Sequence, residues 1–70
     1  MPKLVSSRDV DRVLRKLRFN FVGQKGSHQK YGKDGRVVIV PANRREIPVG
    51  TFKSILRQAD ISEEYFRGLL

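Results

Sequence analysis

Seventy residues are expected to form one domain spanning residues 1–70, and at that length only about 60% of the unfolded chain's surface is buried, which excludes a deep enclosed pocket. Fifteen Lys and Arg against seven Asp and Glu give a net charge of +8, and eleven of the basic but only three of the acidic residues lie between Arg8 and Arg45. That excess attracts polyanions and predicts binding that weakens with salt, while the lack of cysteine excludes disulfides and thiolate metal sites.

The first helix is capped by Ser6 or Ser7, with Asp9 in its first turn. Val10, Val13, Leu14 and Leu17 fall at i, i+3, i+4 and i+7, which makes one apolar stripe. Arg8, Arg12, Arg15 and Arg18 fall mostly off that stripe and read as a solvated face paired locally with Asp9 and Asp11.

From Phe19 the period changes to two. Phe19, Phe21 and Gly23 alternate with Asn20, Val22 and Gln24 in a first strand, a Lys25-Gly26-Ser27 turn follows, and His28 to Tyr31 form a short second strand. Gly32-Lys33-Asp34-Gly35 reads as a hairpin loop, and Arg36 to Val40 as a β-branched third strand ended by Pro41. Short connections predict an antiparallel meander. Val37 to Val40 is the longest aliphatic run, far below the ~20 apolar residues of a membrane span. The N-terminal stretch also lacks the apolar run of a signal peptide, so the expectation is a soluble, cytoplasmic protein with no membrane contact.

Alternation on the second strand sets the direction of the only histidine. Tyr31 has most to gain from the core and shares its face with Gln29, so His28 points to the opposite, open face beside Lys30. A proline-bounded loop, Pro41 to Pro48, carries Arg44 and Arg45. A second helix follows from Val49 to Ala59 with Phe52, Ile55, Leu56 and Ala59 on its stripe, and Ser62 caps a short third helix in which Ile61 can staple onto Phe66. The order α-β-β-β-α(-α) predicts a two-layer α+β domain, a three-stranded antiparallel sheet with its helices on one face. Double-stranded RNA-binding domains share that arrangement, and the uncovered face is where a basic surface would meet nucleic acid.

Histidine is the side chain whose unperturbed pKa lies near neutrality, and RNA carries its own nucleophile in the 2′-hydroxyl. His28 is therefore the candidate general base, with Lys25 and Lys30 offsetting phosphate charge and Gly26 allowing close approach. Ser27 either donates to a phosphate oxygen or completes the turn. Arg44 and Arg45 either clamp RNA phosphates or bind an acidic partner. The proton donor to the leaving oxygen is not identified, since a lysine with a pKa of about 10.4 holds its proton tightly, and water could serve. Asp9 and Asp11 do not share a helix face and Asp34 lies in a turn, so neither a metal site nor a cofactor is expected. The other reading is a non-catalytic RNA-binding module with an incidental histidine.

Several stretches carry a family resemblance. They are Gln24-Lys25-Gly26-Ser27-His28-Gln29-Lys30-Tyr31, then Gly35-Arg36 with Val38-Ile39-Val40-Pro41, the run from Pro48-Val49-Gly50-Thr51-Phe52 to Ile55-Leu56-Arg57-Gln58-Ala59, and Ile61-Ser62-Glu63-Glu64-Tyr65-Phe66. In order and spacing they resemble the HicA family of toxins over nearly the whole chain. The resemblance implies a double-stranded-RNA-binding-like fold, messenger RNA endonuclease activity that inhibits translation and growth, and a HicB-type antitoxin partner covering the active-site face. It also implies that the Gly-Ser-His histidine, here His28, is catalytic. Many relatives carry a further histidine soon after the Val-Pro, whereas this chain reads Val40-Pro41-Ala42-Asn43-Arg44-Arg45.

Overall fold

A computed structural model describes residues 3–70. The chain runs α1 (Ser7–Lys16), β1 (Asn20–Lys25), β2 (His28–Lys33), β3 (Arg36–Pro41), α2 (Val49–Ala59) and α3 (Glu63–Gly68). The strands form one antiparallel sheet in the order β1-β2-β3. Val10, Val13 and Leu14 of α1 and Phe52, Ile55, Leu56 and Ala59 of α2 join Tyr31, Val38 and Val40 in one core cluster. Both helices thus cover the Tyr31 face of the sheet, as the periodicity predicts. Burying each large aliphatic side chain there stabilises the fold by about 1.5–3 kcal/mol.

The helix ends follow from local chemistry. Ser6 and Asp9 form a reciprocal capping box at the start of α1, which uses Asp9 locally. Helices α1 and α2 stop the same way. Arg18 (φ 74°) and Asp60 (φ 59°) adopt the left-handed conformation, and the next amides, Phe19 and Ile61, donate back to the Leu14 and Leu56 carbonyls. The first of these turns drops Phe19 into the core at the entrance to β1. Ser62 caps α3, and Phe66 meets Phe52 edge-on with 5.0 Å between ring centroids.

Two features of the sheet correct the reading from alternation. The second strand extends to Lys33, so the hairpin loop is only Asp34-Gly35, both with positive φ (49° and 81°), as a type I′ turn requires. The first strand, Asn20 to Lys25, carries a bulge. Phe21 pairs with Tyr31 but Gly23 pairs with Lys30, which leaves Val22 as an extra residue. Directly paired residues share a face, so the bulge reverses the phase of everything after it. Gly23 and Lys25 lie on the open face rather than with Phe21, and Gln24 faces Gln29 on the helix side.

The outer edge of β3 is covered by α2. Gln58 accepts the Ile39 amide at 2.8 Å, and the Arg36 guanidinium donates to the Gln58 carbonyl at 3.2 Å. Among the described residues, no strand lies beyond the edge of β1.

Candidate nucleic-acid interface

His28 opens β2 immediately after a two-residue turn. Gly26 has positive φ (58°) and Ser27 does not, the pattern of a type II′ hairpin turn, and the Gln24 side-chain amide braces it by donating to the Gly26 carbonyl at 2.9 Å. The register places Lys25 on one side of His28 and Pro41 on the other, with Lys30 two residues along on the same face. His28, Lys25 and Lys30 are all exposed, and Tyr31 is fully buried, so β2 is oriented as its alternation predicts.

His28 is a ridge between two hollows. On the sheet face, a hollow of about 710 Å³ is lined by Val22, Gly23, Lys25, Lys30 and Ile39 together with the Gly26-Ser27 turn. The sequence predicts a basic surface on this uncovered face, but the cations share it with apolar side chains, because β3 places Val37 and Ile39 on this side, with Lys30 between Gly23 and Ile39. Towards α2, a second hollow of about 350 Å³ joins His28 to Arg44, Thr51, Ser54 and Gln58.

The loop after β3 is held against both α1 and the His28 turn. Ser7 Oγ donates to the Pro41 carbonyl at 2.6 Å and accepts the Arg44 amide at 3.0 Å, while the Ser7 amide donates to the Arg44 carbonyl at 2.9 Å. The Ala42 amide donates to the Ser27 carbonyl at 2.7 Å. Ser27 therefore anchors the loop through its backbone, and its exposed side chain remains on the hollow. Arg44 lines the hollow beside His28, whereas Arg45 does not; it sits round the corner with Arg8, Asn43 and Ser6.

Several basic residues are held by ion pairs or by carbonyl oxygens away from His28. Arg15 pairs with Asp11 at 3.0 Å, Arg36 reaches Asp60 and Gln58, Lys16 donates to the Leu69 carbonyl, and Lys33 donates to the Leu17 carbonyl while lying over the Phe19 ring. Among the described residues, Arg8, Lys25, Lys30, Arg44 and Arg45 form no ion pair, as is also true of Arg12, Arg18, Lys53 and Arg57 elsewhere on the chain. The first five line the hollows around His28 or the adjoining corner. Arg8, read from the sequence as part of a solvated helix face, belongs with this set. Nothing in the spacing of α1 signals that, because its neighbours Arg44 and Asn43 arrive from a loop more than thirty residues away.

Tyr31 supports the site from beneath. Its hydroxyl donates to Asp11 Oδ1 at 2.5 Å, which ties the middle of β2 to α1. Burial, then the hydrogen bond to Asp11 and that carboxylate's charge, hold the phenol above its ordinary value, with Arg15 opposing. No three His, Cys, Asp or Glu side chains among the described residues converge as metal ligands would.

A small α+β domain with its histidine and unpaired cations round one exposed sheet face is a class that comparison with known families narrows to the toxins of bacterial toxin–antitoxin pairs. The family model described as the HicA toxin of bacterial toxin-antitoxin matches residues 7–61. The chain belongs to the HicA toxin family, and that family implies an antitoxin partner of the HicB type. No curated protein matches the chain. The matched residues take in both hollows and end before α3. No helix among the described residues is long and apolar enough to cross a membrane.

Proposed function

We propose that this toxin is an endoribonuclease that cuts messenger RNA without a metal or other cofactor and so inhibits translation and growth. The observation that carries the reading is the grouping of His28, Lys25 and Lys30 on one exposed sheet face of a HicA-family chain. His28 removes the proton from a ribose 2′-hydroxyl, whose oxygen then attacks the adjacent phosphorus. The bond from phosphorus to the 5′-oxygen breaks, leaving a 2′,3′-cyclic phosphate on one product and a 5′-hydroxyl on the other. The departing oxygen takes its proton from water.

Lys25 and Lys30 offset the charge that builds on the phosphate oxygens, and the Gly26 turn allows the strand to approach the backbone closely. Ser27 donates a hydrogen bond to phosphate. Arg44, and then Arg45 round the corner, hold neighbouring phosphates of the same strand. A HicB-type antitoxin silences the enzyme by covering His28. The toxin works in the cytoplasm, where messenger RNA is found.

An oligoribonucleotide with one 2′-deoxy sugar at the cut position tests the chemistry. It should bind as tightly as the all-ribose strand and remain uncut. Cutting at that position would rule out attack by the 2′-hydroxyl.

A further inference from the structure

The floor of the sheet-face hollow is unlike a phosphate site. Val22 is 60% exposed on β1 and Ile39 is 38% exposed on β3, Gly23 beside Val22 leaves the backbone uncovered, and Lys30 of the central strand stands between Gly23 and Ile39. A Cβ added at Gly23 would meet nothing within 4 Å, and the residue is not in the positive-φ region, so neither backbone strain nor packing calls for glycine there. Val22 is laid over β2 by the bulge. A Cβ at Gly32 would come within 3.2 Å of its Cγ2, so the absence of a side chain at Gly32 is what admits it. The result is an apolar floor, open to solvent, from which Lys30 rises between Gly23 and Ile39, with Lys25 and His28 at one end.

We propose that the Val22, Gly23 and Ile39 floor holds one unpaired nucleobase of the nucleotide next to the cleaved bond, an assignment that rests on the endoribonuclease reading. A nucleotide joins a flat, weakly polar ring to an anionic phosphate through one sugar, so it matches both the floor and its cations. Duplex RNA does not. It keeps its bases stacked and paired and presents phosphates and 2′-hydroxyls, which gain nothing from exposed Val22 and Ile39. The strand that occupies this site is single, although the fold resembles that of domains that grip duplexes. Aliphatic side chains and peptide backbone lie beneath the ring, no carboxylate lines the hollow, and its one side-chain amide, Gln24, donates to the Gly26 carbonyl, so the contact requires a base without strongly choosing which one.

The test uses an oligoribonucleotide with a single cleavable ribose, and matched strands carrying an abasic ribose on one side or the other of that bond. The proteins are wild type, Val22→Ser and Gly23→Val, each checked for native circular dichroism. Wild type should lose about tenfold in kcat/KM with the abasic ribose on one side and little with it on the other. Both variants should cut the intact strand about tenfold more slowly and show no further loss on the abasic one. Equal cutting of intact and abasic strands by wild type would overturn the base site while leaving the nuclease intact. Variants that cut normally but bind the antitoxin less tightly would overturn it too, and would assign the floor to the protein partner. If wild type cuts no RNA at all, the nuclease reading fails first and this one with it.

Discussion

Lys25 stands directly across the β1–β2 ladder from His28, on the same face of the sheet, because Val22 is an extra residue in β1. Without that bulge, strict alternation from Phe21 would turn Lys25 towards the helices. With it, a flexible ammonium group lies beside the imidazole and has no ion-pair partner among the described residues.

On the proposed reading Lys25 contacts a phosphate and leaves the chemistry to its neighbour. Lys25→Ala should weaken RNA binding and reduce the slope of log K against log salt by about 0.7, the counterion contribution of one phosphate on a single strand. Fluorescence titrations at several salt concentrations measure it. An unchanged slope would show that Lys25 touches no phosphate.

Tyr31→Phe keeps the ring in the core and removes only the hydroxyl that donates to Asp11. A loss of about 1–2 kcal/mol is expected near neutral pH, read from urea midpoints. The sign with pH follows from the raised folded-state pKa of Tyr31. As pH climbs past about 10, the unfolded chain releases the phenolic proton before the folded one does. The stability linked to this proton is therefore complete below that pH and is lost above it. The gap between wild type and Tyr31→Phe should narrow as pH rises; a constant gap would mean that burial and Asp11 do not hold the proton.

Ser7→Ala removes a side chain that is 6% exposed and hydrogen-bonded both to Pro41 and to Arg44. The expected cost is about 1–3 kcal/mol, since a carbonyl and an amide lose a partner together. Release of the loop should also speed limited proteolysis between Pro41 and Ile47. Wild-type resistance there would show that the Ile47 amide bond to the Val5 carbonyl and the Ala42 bond to Ser27 hold the loop without Ser7.

The helices and the direction of His28 were legible in the sequence because each rests on a strong periodic signal. Val10, Val13 and Leu14 leave one face for burial, and Tyr31 settles which side of β2 is the core. The bulge was not legible. Phe21, Val22 and Gly23 are two apolar residues and a glycine, and such a run fits either phase of a strand, so only pairing with Tyr31 and Lys30 decides it. The place of Gly23 on the open face follows from the same phase reversal, whereas Val37 and Ile39 reach that face by the plain alternation of β3. The roles of Ser7 and Arg8 were hidden for another reason. Ser6 and Ser7 both read as capping candidates; Ser6 makes the cap, and Ser7 turns inward to a loop that no local pattern places beside it.

The most direct measurement compares wild type and His28→Ala on a long single-stranded messenger RNA in EDTA, with binding and cleavage followed in the same samples. His28 is exposed on the sheet face, so its loss should leave the fold and the neighbouring cations in place. The variant is expected to bind RNA with near wild-type affinity and to lose cleavage by at least the 10²–10⁴-fold that a positioned general base contributes, whereas wild type cuts. Equal cutting by both proteins, or binding without cutting by both, would contradict the assignment of His28 as the catalytic base.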